Sequence, residues 1–332
     1  MSRVSAVISS ARVAMLLGAA AALASCTEAS SKPVESDTAA LAARAEKFSK
    51  ALAAPDSNGK MGGAIARWIM PDNLKEISGL TLTSDGRLFG HGDEHAHVFE
   101  IDYRRGMIVK EFTLAEKGQA VKGDFEAITV ADDGRMFLLE SNGKVYEFRE
   151  GADSSNVGFT VHDTGLKDEC EFESVAFVKP LNSLLLACKK VTDKKLKDSV
   201  VVFRWKLDGD ALPAERLSHF TVPMAQAIGA NGWDGFHPSD ITVNPFNGDY
   251  VLIASRESGM LEITPAGKVV FSRRLPGTHD QAEGIAITSD SLLILSDEAA
   301  AKNADPIDHP HRVPDVPGAH RPAFVTVYRW HE

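Results

Sequence analysis

The sequence predicts an all-β protein, a single β-propeller of five four-stranded blades closed by an N-terminal strand that pairs into the last blade. Three observations predict it. From residue 65 onward, short apolar runs alternate with Gly, Asp and Asn turns, and helical periodicity is absent. Five segments repeat one layout: a carboxylate, a residue that is usually small, an aliphatic strand, a turn, and a second apolar strand ending in polar residues. Further β-rich runs follow each pair, giving periods of roughly 40–70 residues, which suit propeller blades.

The chain begins with a different signal. Arg3 and Arg12 charge a stretch that leads into the apolar run Val13 to Leu23 and then Leu23-Ala24-Ser25-Cys26. The run is shorter than the roughly 20 residues a membrane span needs, and small residues precede a cleavage point. Residues 1–25 therefore read as a signal peptide. The tetrapeptide resembles the lipobox of bacterial lipoproteins, which implies a diacylglyceryl group on Cys26 and a membrane as partner. Thr27 in place of an Asp points to the outer membrane. Residues 26–60 read as a lipid-anchored tether with one short helix over 38–53, and residues 61–332 as the propeller domain.

The first repeat is Glu76-Ile-Ser-Gly-Leu80, a turn at Ser84-Asp85-Gly86 and a strand ending at Asp93. The second, Phe125-Glu126-Ala127-Ile128, is followed by a strand ending at Glu140. The third, Phe172-Glu173-Ser174-Val175, leads to Cys188-Lys189-Lys190. The fourth, Ser239-Asp240-Ile241, leads to Ser255-Arg256-Glu257. The fifth, Ala282-Glu283-Gly284-Ile285, leads to Ser296-Asp297-Glu298. The fifth unit runs out of chain after its third strand. The strand Ala66 to Met70 can supply the missing edge and close the ring. The long stretch 190–240 leaves room for a sixth blade.

In a propeller, the start of each inner strand lies at one mouth of the central channel. Glu126, Glu173, Asp240 and Glu283, with Glu76, are thus expected around one ring. The second strands return Glu140, Arg256, Glu257, Asp297 and Glu298 to the same mouth, and His237 precedes the fourth unit. Crowded carboxylates raise one another's pKa unless cations balance them. Three readings follow. Each carboxylate caps backbone amides of a neighbouring blade. Alternatively, Arg256, Lys189, Lys190, Lys122 and His237 pair with them. In the third, Ca²⁺ sits there, with Glu126, Glu173, Asp240 and Glu283 as ligands, and Glu140, Arg256, Glu257, Asp297, Glu298 and His237 contact a ligand.

Other candidates are less specific. His309, His311 and His320, with Asp305 and Asp308, lie in a Pro-rich insertion of the last unit that would overhang the mouth. The segment Ala230 to Pro238 brings Trp233 and Phe236 near the fourth unit, as a pocket wall or a packed loop. Counting register from the turn at 180–183 places Cys188 opposite Val175, with Cys170 five residues outside, so two free thiols are expected. The net charge of -10, without a basic run, argues against nucleic acid as a partner. A Ser nucleophile elbow, a phosphate-cradling Gly loop and a Cys-x-x-Cys pair are all absent.

At these motifs the chain resembles the SdiA-regulated family of bacterial β-propellers. The resemblance is carried by Phe125-Glu126-Ala127-Ile128, Cys170-Glu171-Phe172-Glu173-Ser174-Val175, Ser239-Asp240-Ile241, Ser255-Arg256-Glu257-Ser258 and Gln281-Ala282-Glu283-Gly284-Ile285. It implies an exported, membrane-tethered propeller and a Ca²⁺ site, but no reaction. Lys189-Lys190 departs from the more acidic tip usual in the family. The sequence is thus read as an envelope-anchored module binding a small molecule or protein. The alternative is a Ca²⁺-dependent phosphoesterase or lactonase-like hydrolase, by analogy of fold alone.

Overall fold

The computed structural model describes residues 34–55, 63–207, 217–299 and 321–331. Residues 1–25, read above as a signal peptide, Cys26 and the stretch carrying His309, His311 and His320 lie outside the described residues.

Five four-stranded antiparallel units form the ring, the first extended at its outer strand by Ser155–Val157, which runs parallel, and by Gln119–Ala120. Blade I comprises Ile77–Leu82, Leu88–Gly92, His97–Asp102 and Met107–Glu116. Blade II has Phe125–Val130, Arg135–Glu140, Lys144–Arg149 and Phe159–Asp163. Blade III has Cys170–Val178, Ser183–Val191, Ser199–Lys206 and Leu217–Pro223. Blade IV has Asp240–Val243, Tyr250–Ala254, Gly259–Ile263 and Val269–Arg274. Blade V combines Ala282–Ile287, Leu292–Asp297 and Phe324–Arg329 with the N-terminal strand Ala66–Ile69. That strand pairs antiparallel with Phe324–Arg329, Ala66 facing Val327, and closes the ring between the two ends of the described chain. Leu217–Pro223 completes blade III, so 190–240 holds no sixth blade among the described residues.

Both faces of each blade are buried, so the second strands read as unbroken apolar runs such as Leu184-Leu185-Leu186. Alternate side chains then serve opposite interfaces. Leu184 and Leu186 join the core between blades II and III, whereas Leu185 and Ala187 join that between III and IV. The same alternation fills the other interfaces, from I–II to V–I. Each fully buried aliphatic or aromatic side chain contributes about 1.5–3 kcal/mol.

Helix α1 (Val34–Ala53) lies within the segment expected to be a tether, and it is docked. Phe48 is 2% exposed and sits edge-on to Tyr103 at 6.4 Å. Arg329 donates to the carbonyls of Ala51, Leu52 and Ala54, and Arg44 to those of Arg105 and Gly106. Gly106 is required beneath it. Its φ is +65°, and a Cβ there would stand 2.4 Å from the Trp68 ring. Among the described residues, no helix is long and apolar enough to cross a membrane.

Cys170 and Cys188 form a disulfide, which corrects the expectation of free thiols. The register count failed for a physical reason. Val175 faces Leu186, not Cys188, and two irregularities beside Phe172 put Cys188 opposite Phe172. The Cα atoms of the two cysteines come within 5.6 Å, inside bridging range.

Candidate functional site

The mouth where the inner strands begin, here the upper mouth, collects the expected carboxylates, and β-bulges aim them. The pairing of inner and second strands slips at the same place in four blades: between Ile77 and Gly79, Phe125 and Ala127, Phe172 and Ser174, and Ala282 and Gly284. The extra residues are Ser78, Glu126, Glu173 and Glu283. A bulge leaves one residue outside the ladder and re-aims its side chain. Three blades use that position to present a glutamate. In blade III the second strand slips too, which leaves Lys189 unpaired in the ladder beside Cys188.

This register separates Asp240 from the others. Asp240 pairs with Ile253 and falls at the level of Gly79, Ala127, Ser174 and Gly284, the small-residue position. It is 0% exposed. Its oxygens accept the Ile241 and Ile285 amides, both at 2.8 Å, and the Leu80 amide also bonds it. Asp240 therefore staples blades IV, V and I. Ser78 and Ser239 stand where the other blades carry glutamate, and Ser239 donates to the Ala282 carbonyl at 2.7 Å. Glu76 precedes the strand and pairs with Lys75 at 3.1 Å.

The remaining cluster is short of cations. Lys189 is ion-paired with Glu173. Burial opposes its charge, but Glu173 and Glu283 outweigh burial and hold its pKa above the ordinary lysine range. Burial pushes Glu173 up to about 7, against the pull of Lys189. Glu126 is pushed up to about 10 by burial and by the charges of Glu173 and Asp124. Glu283 rises well above the usual range for the same reasons, burial first and then Glu173. Glu298 reaches about 7 through burial, Asp93 and Glu76. Asp93 reaches about 6 through burial and Glu76. One lysine thus serves Glu126, Glu173 and Glu283, and the cluster keeps protons at neutral pH.

The other expected site residues are engaged nearby. Both Glu257 oxygens are held by His237, one by its backbone N–H at 3.1 Å and one at 2.8 Å from Nδ1. Arg256 lies 3.9 Å from Glu257. Asp297 is buried against His279 Nδ1 at 2.8 Å, and Nε2 of that ring meets the Tyr328 hydroxyl at 2.9 Å. Tyr146 donates to Glu140 at 3.2 Å, and Gln281 bonds Glu298. Trp233 and Phe236 pack into the III–IV core, so that segment is a packed loop. His279 was not anticipated. Neither was His91, fully buried, with its pKa lowered to about 4 by burial. The Nδ1 of His91 donates to the Gly92 carbonyl at 2.9 Å, and its Nε2 lies over Gly79, where a Cβ would come within 2.8 Å.

Oxygen donors of this kind suit Ca²⁺. Among the described residues, however, no three His, Cys, Asp or Glu side chains converge as metal ligands, and the Lys189 ammonium sits within the acidic group. The arrangement does not fit a preformed metal site.

No protein-family model matches the chain, and no curated protein matches it significantly. Virginiamycin B lyase from Staphylococcus aureus is a distant structural likeness, 13% identical over 79% of this chain and 69% of that one, with a TM-score of 0.40. A PQQ-bound aldose sugar dehydrogenase from Streptomyces coelicolor is 14% identical over 79% of this chain and 98% of that one, with a TM-score of 0.45. A luciferin-regenerating enzyme is 8% identical over 81% and 98%, also at 0.45. Likenesses this distant decide nothing about chemistry, and the propeller rests on the strand pairing of this chain.

Proposed function

We propose that the protein is a cell-envelope binding module whose acidic upper mouth takes a cationic group from a small molecule or protein partner. One observation carries this reading. Glu126, Glu173 and Glu283 share a single ammonium, so Glu126 and Glu283 retain protons that an entering cation would displace. Binding would release protons and tighten as pH rises. Ca²⁺ is one such cation, and it would have to part Lys189 from Glu173. The bulged glutamates take no part in the strand ladder.

Calorimetric titration with CaCl₂ and with spermidine, in two buffers of different ionisation enthalpy, tests the proposal. Binding with proton release is expected at about pH 8 and weak binding at about pH 5, with Glu283→Gln costing at least about tenfold in affinity. Neither heat nor a melting shift from either cation at about pH 8 would overturn it. Hydrolysis of a phosphoester or lactone by the Ca²⁺-loaded chain, lost in Glu283→Gln, would favour the hydrolase reading instead.

Anchoring is part of the same proposal. The lipobox-like Leu23-Ala24-Ser25-Cys26 supports acylation at Cys26 and residence at the outer membrane. Palmitate labelling that disappears in Cys26→Ala, with the labelled chain in the outer-membrane fraction, is the expected result.

A further inference from the structure

We propose that the face around the lower mouth, at the opposite end of the channel from the acidic one, docks on the lipid bilayer through two exposed turn tips, Leu181 of blade III and Phe246 of blade IV. The proposal rests on the envelope reading of Cys26 and names the surface that meets the lipid. On this side each inner strand turns back into the second strand of its blade. Blades I, II and V make the turn with Ser84-Asp85-Gly86, Asp132-Asp133-Gly134 and Ser289-Asp290-Ser291. Blades III and IV use Pro180-Leu181-Asn182 and Pro245-Phe246-Asn247 instead. Leu181 is 39% exposed and Phe246 45%, and Phe246 is the one aromatic among the exposed large apolar side chains of the described residues. Both turns are braced. The Asn182 amide donates to the Lys179 carbonyl at 3.1 Å. The Asn244 side chain accepts the Phe246 amide at 3.0 Å and donates to the buried Glu262 at 2.8 Å. A hydrogen-bonded base thus carries each apolar tip out into water.

Two observations select a bilayer as the occupant. The first is where the chain leads. Helix α1 is fastened to the lower side. Its Arg44 donates to the carbonyls of Arg105 and Gly106, in the lower turn of blade I, and Arg329, at the lower end of its strand, holds the carbonyls of Ala51 and Leu52. Seven residues separate Cys26 from the start of the helix at Val34, a span of at most about 25 Å. A lipid on Cys26 therefore keeps this face, not the acidic one, beside the membrane.

The second is charge. Anionic headgroups repel the upper mouth, where Glu126, Glu173 and Glu283 share one lysine. The acids that line the lower mouth are paired. Asp290 meets Arg104 at 2.8 Å, Asp102 meets Arg105 at 3.4 Å, and Asp132 meets Lys179 at 2.7 Å. Asp85 and Glu100 both meet Arg87, at 3.1 and 3.3 Å. Lys179, its side chain 77% exposed, adjoins the Leu181 turn, and Lys268 is exposed in the other lower turn of blade IV. Apolar tips flanked by lysines, beside a charge-balanced mouth, suit the headgroup layer.

The test uses the mature chain with one myristoyl chain coupled to the Cys26 thiol, the other two cysteines being bridged. A single such chain binds vesicles only marginally, at about 10⁴ M⁻¹, so any further contact reads out as a change in partition. On vesicles of phosphatidylglycerol and phosphatidylcholine, the paired variant Leu181→Ser with Phe246→Ser should partition at least about tenfold more weakly than the parent. Val161→Ser removes a side chain of similar exposure, 44%, from the outer strand of blade II, and should leave partition unchanged. Thermal melts confirm that each variant is folded, and Phe246→Ser alone decides the matter if the paired variant is not. Equal partition of the parent and the folded tip variant, or as large a loss in Val161→Ser, would overturn the proposal. So would self-association of the uncoupled chain that the tip substitutions abolish, which would assign the tips to a second copy. Because the acyl chain is attached chemically, this result is independent of palmitate labelling in the cell, and the two readings fail separately.

Discussion

Glu126 shows how a single residue sets a pH dependence for the whole fold. Folded, it keeps its proton up to about pH 10, whereas the ordinary glutamate value is 4.5. Folding therefore takes up a proton between those values, and stability falls as pH rises through that window. Glu126→Gln keeps the shape and removes the titration. The variant should match the parent near pH 4 and melt higher near pH 9, by roughly 2–4 °C for each kcal/mol recovered. Melting curves across that range check this, and a constant difference at all pH values would contradict it. Asp240 is also raised well above the ordinary range by burial, although the amides of Ile285, Ile241 and Leu80 pull the other way, and its work is structural. Asp240→Asn offers one acceptor in place of two and turns an N–H toward another N–H. A loss of about 1–3 kcal/mol in denaturant unfolding is expected, since a buried donor is left unpaired.

At the scale of strands, the bulge is the working unit. The motif of carboxylate, small residue and aliphatic residue was legible because it recurs, and so was the blade count. The site was half legible. The repeat places Glu126, Glu173 and Glu283 at the mouth, where the bulges hold them, and groups Asp240 with them as the nearest carboxylate of its unit. Aligning Ser239-Asp240-Ile241 and Ser78-Gly79-Leu80 with Glu283-Gly284-Ile285 would have placed Ser239 and Ser78 in the glutamate register. A bulge is defined by the partner strand, so one strand's sequence does not show it. The disulfide was hidden by the same slip. It pins both strands of blade III beside Glu173 and Lys189. The paired variant Cys170→Ala with Cys188→Ala should lose about 3 kcal/mol, the scale for a loop of this size. Thiol titration of the parent should find both cysteines unreactive until reduction. Prompt reaction of either in the folded, unreduced chain would count against the bridge.

At the scale of the molecule, the two mouths differ in chemistry and in their relation to the N-terminus. Helix α1 is held across the seam of blades V and I on the lower side, by Arg329 at its C-terminal end and by Phe48 and Arg44 farther back. Because Val34–Ala53 is a docked helix, a lipid on Cys26 would be separated from it by only seven residues, which can span at most about 25 Å. With Cys26 acylated, the lower mouth should face the bilayer and the acidic mouth should face away. Lys179 and Lys190 mark the two ends, with side chains 77% and 73% exposed. Lys179→Cys and Lys190→Cys chains, carrying a fluorophore on the new thiol, can be anchored in vesicles through the acylated Cys26. A lipid-borne quencher should dim the label at 179 more than that at 190. Releasing the helix with Phe48→Ala and Arg329→Ala should lengthen the effective tether and shrink the difference. Stronger quenching at 190 would reverse the orientation, and equal quenching with the helix intact would show that α1 does not fix it. If the expected order is found, the acidic mouth stands open to soluble cations on the side away from the membrane.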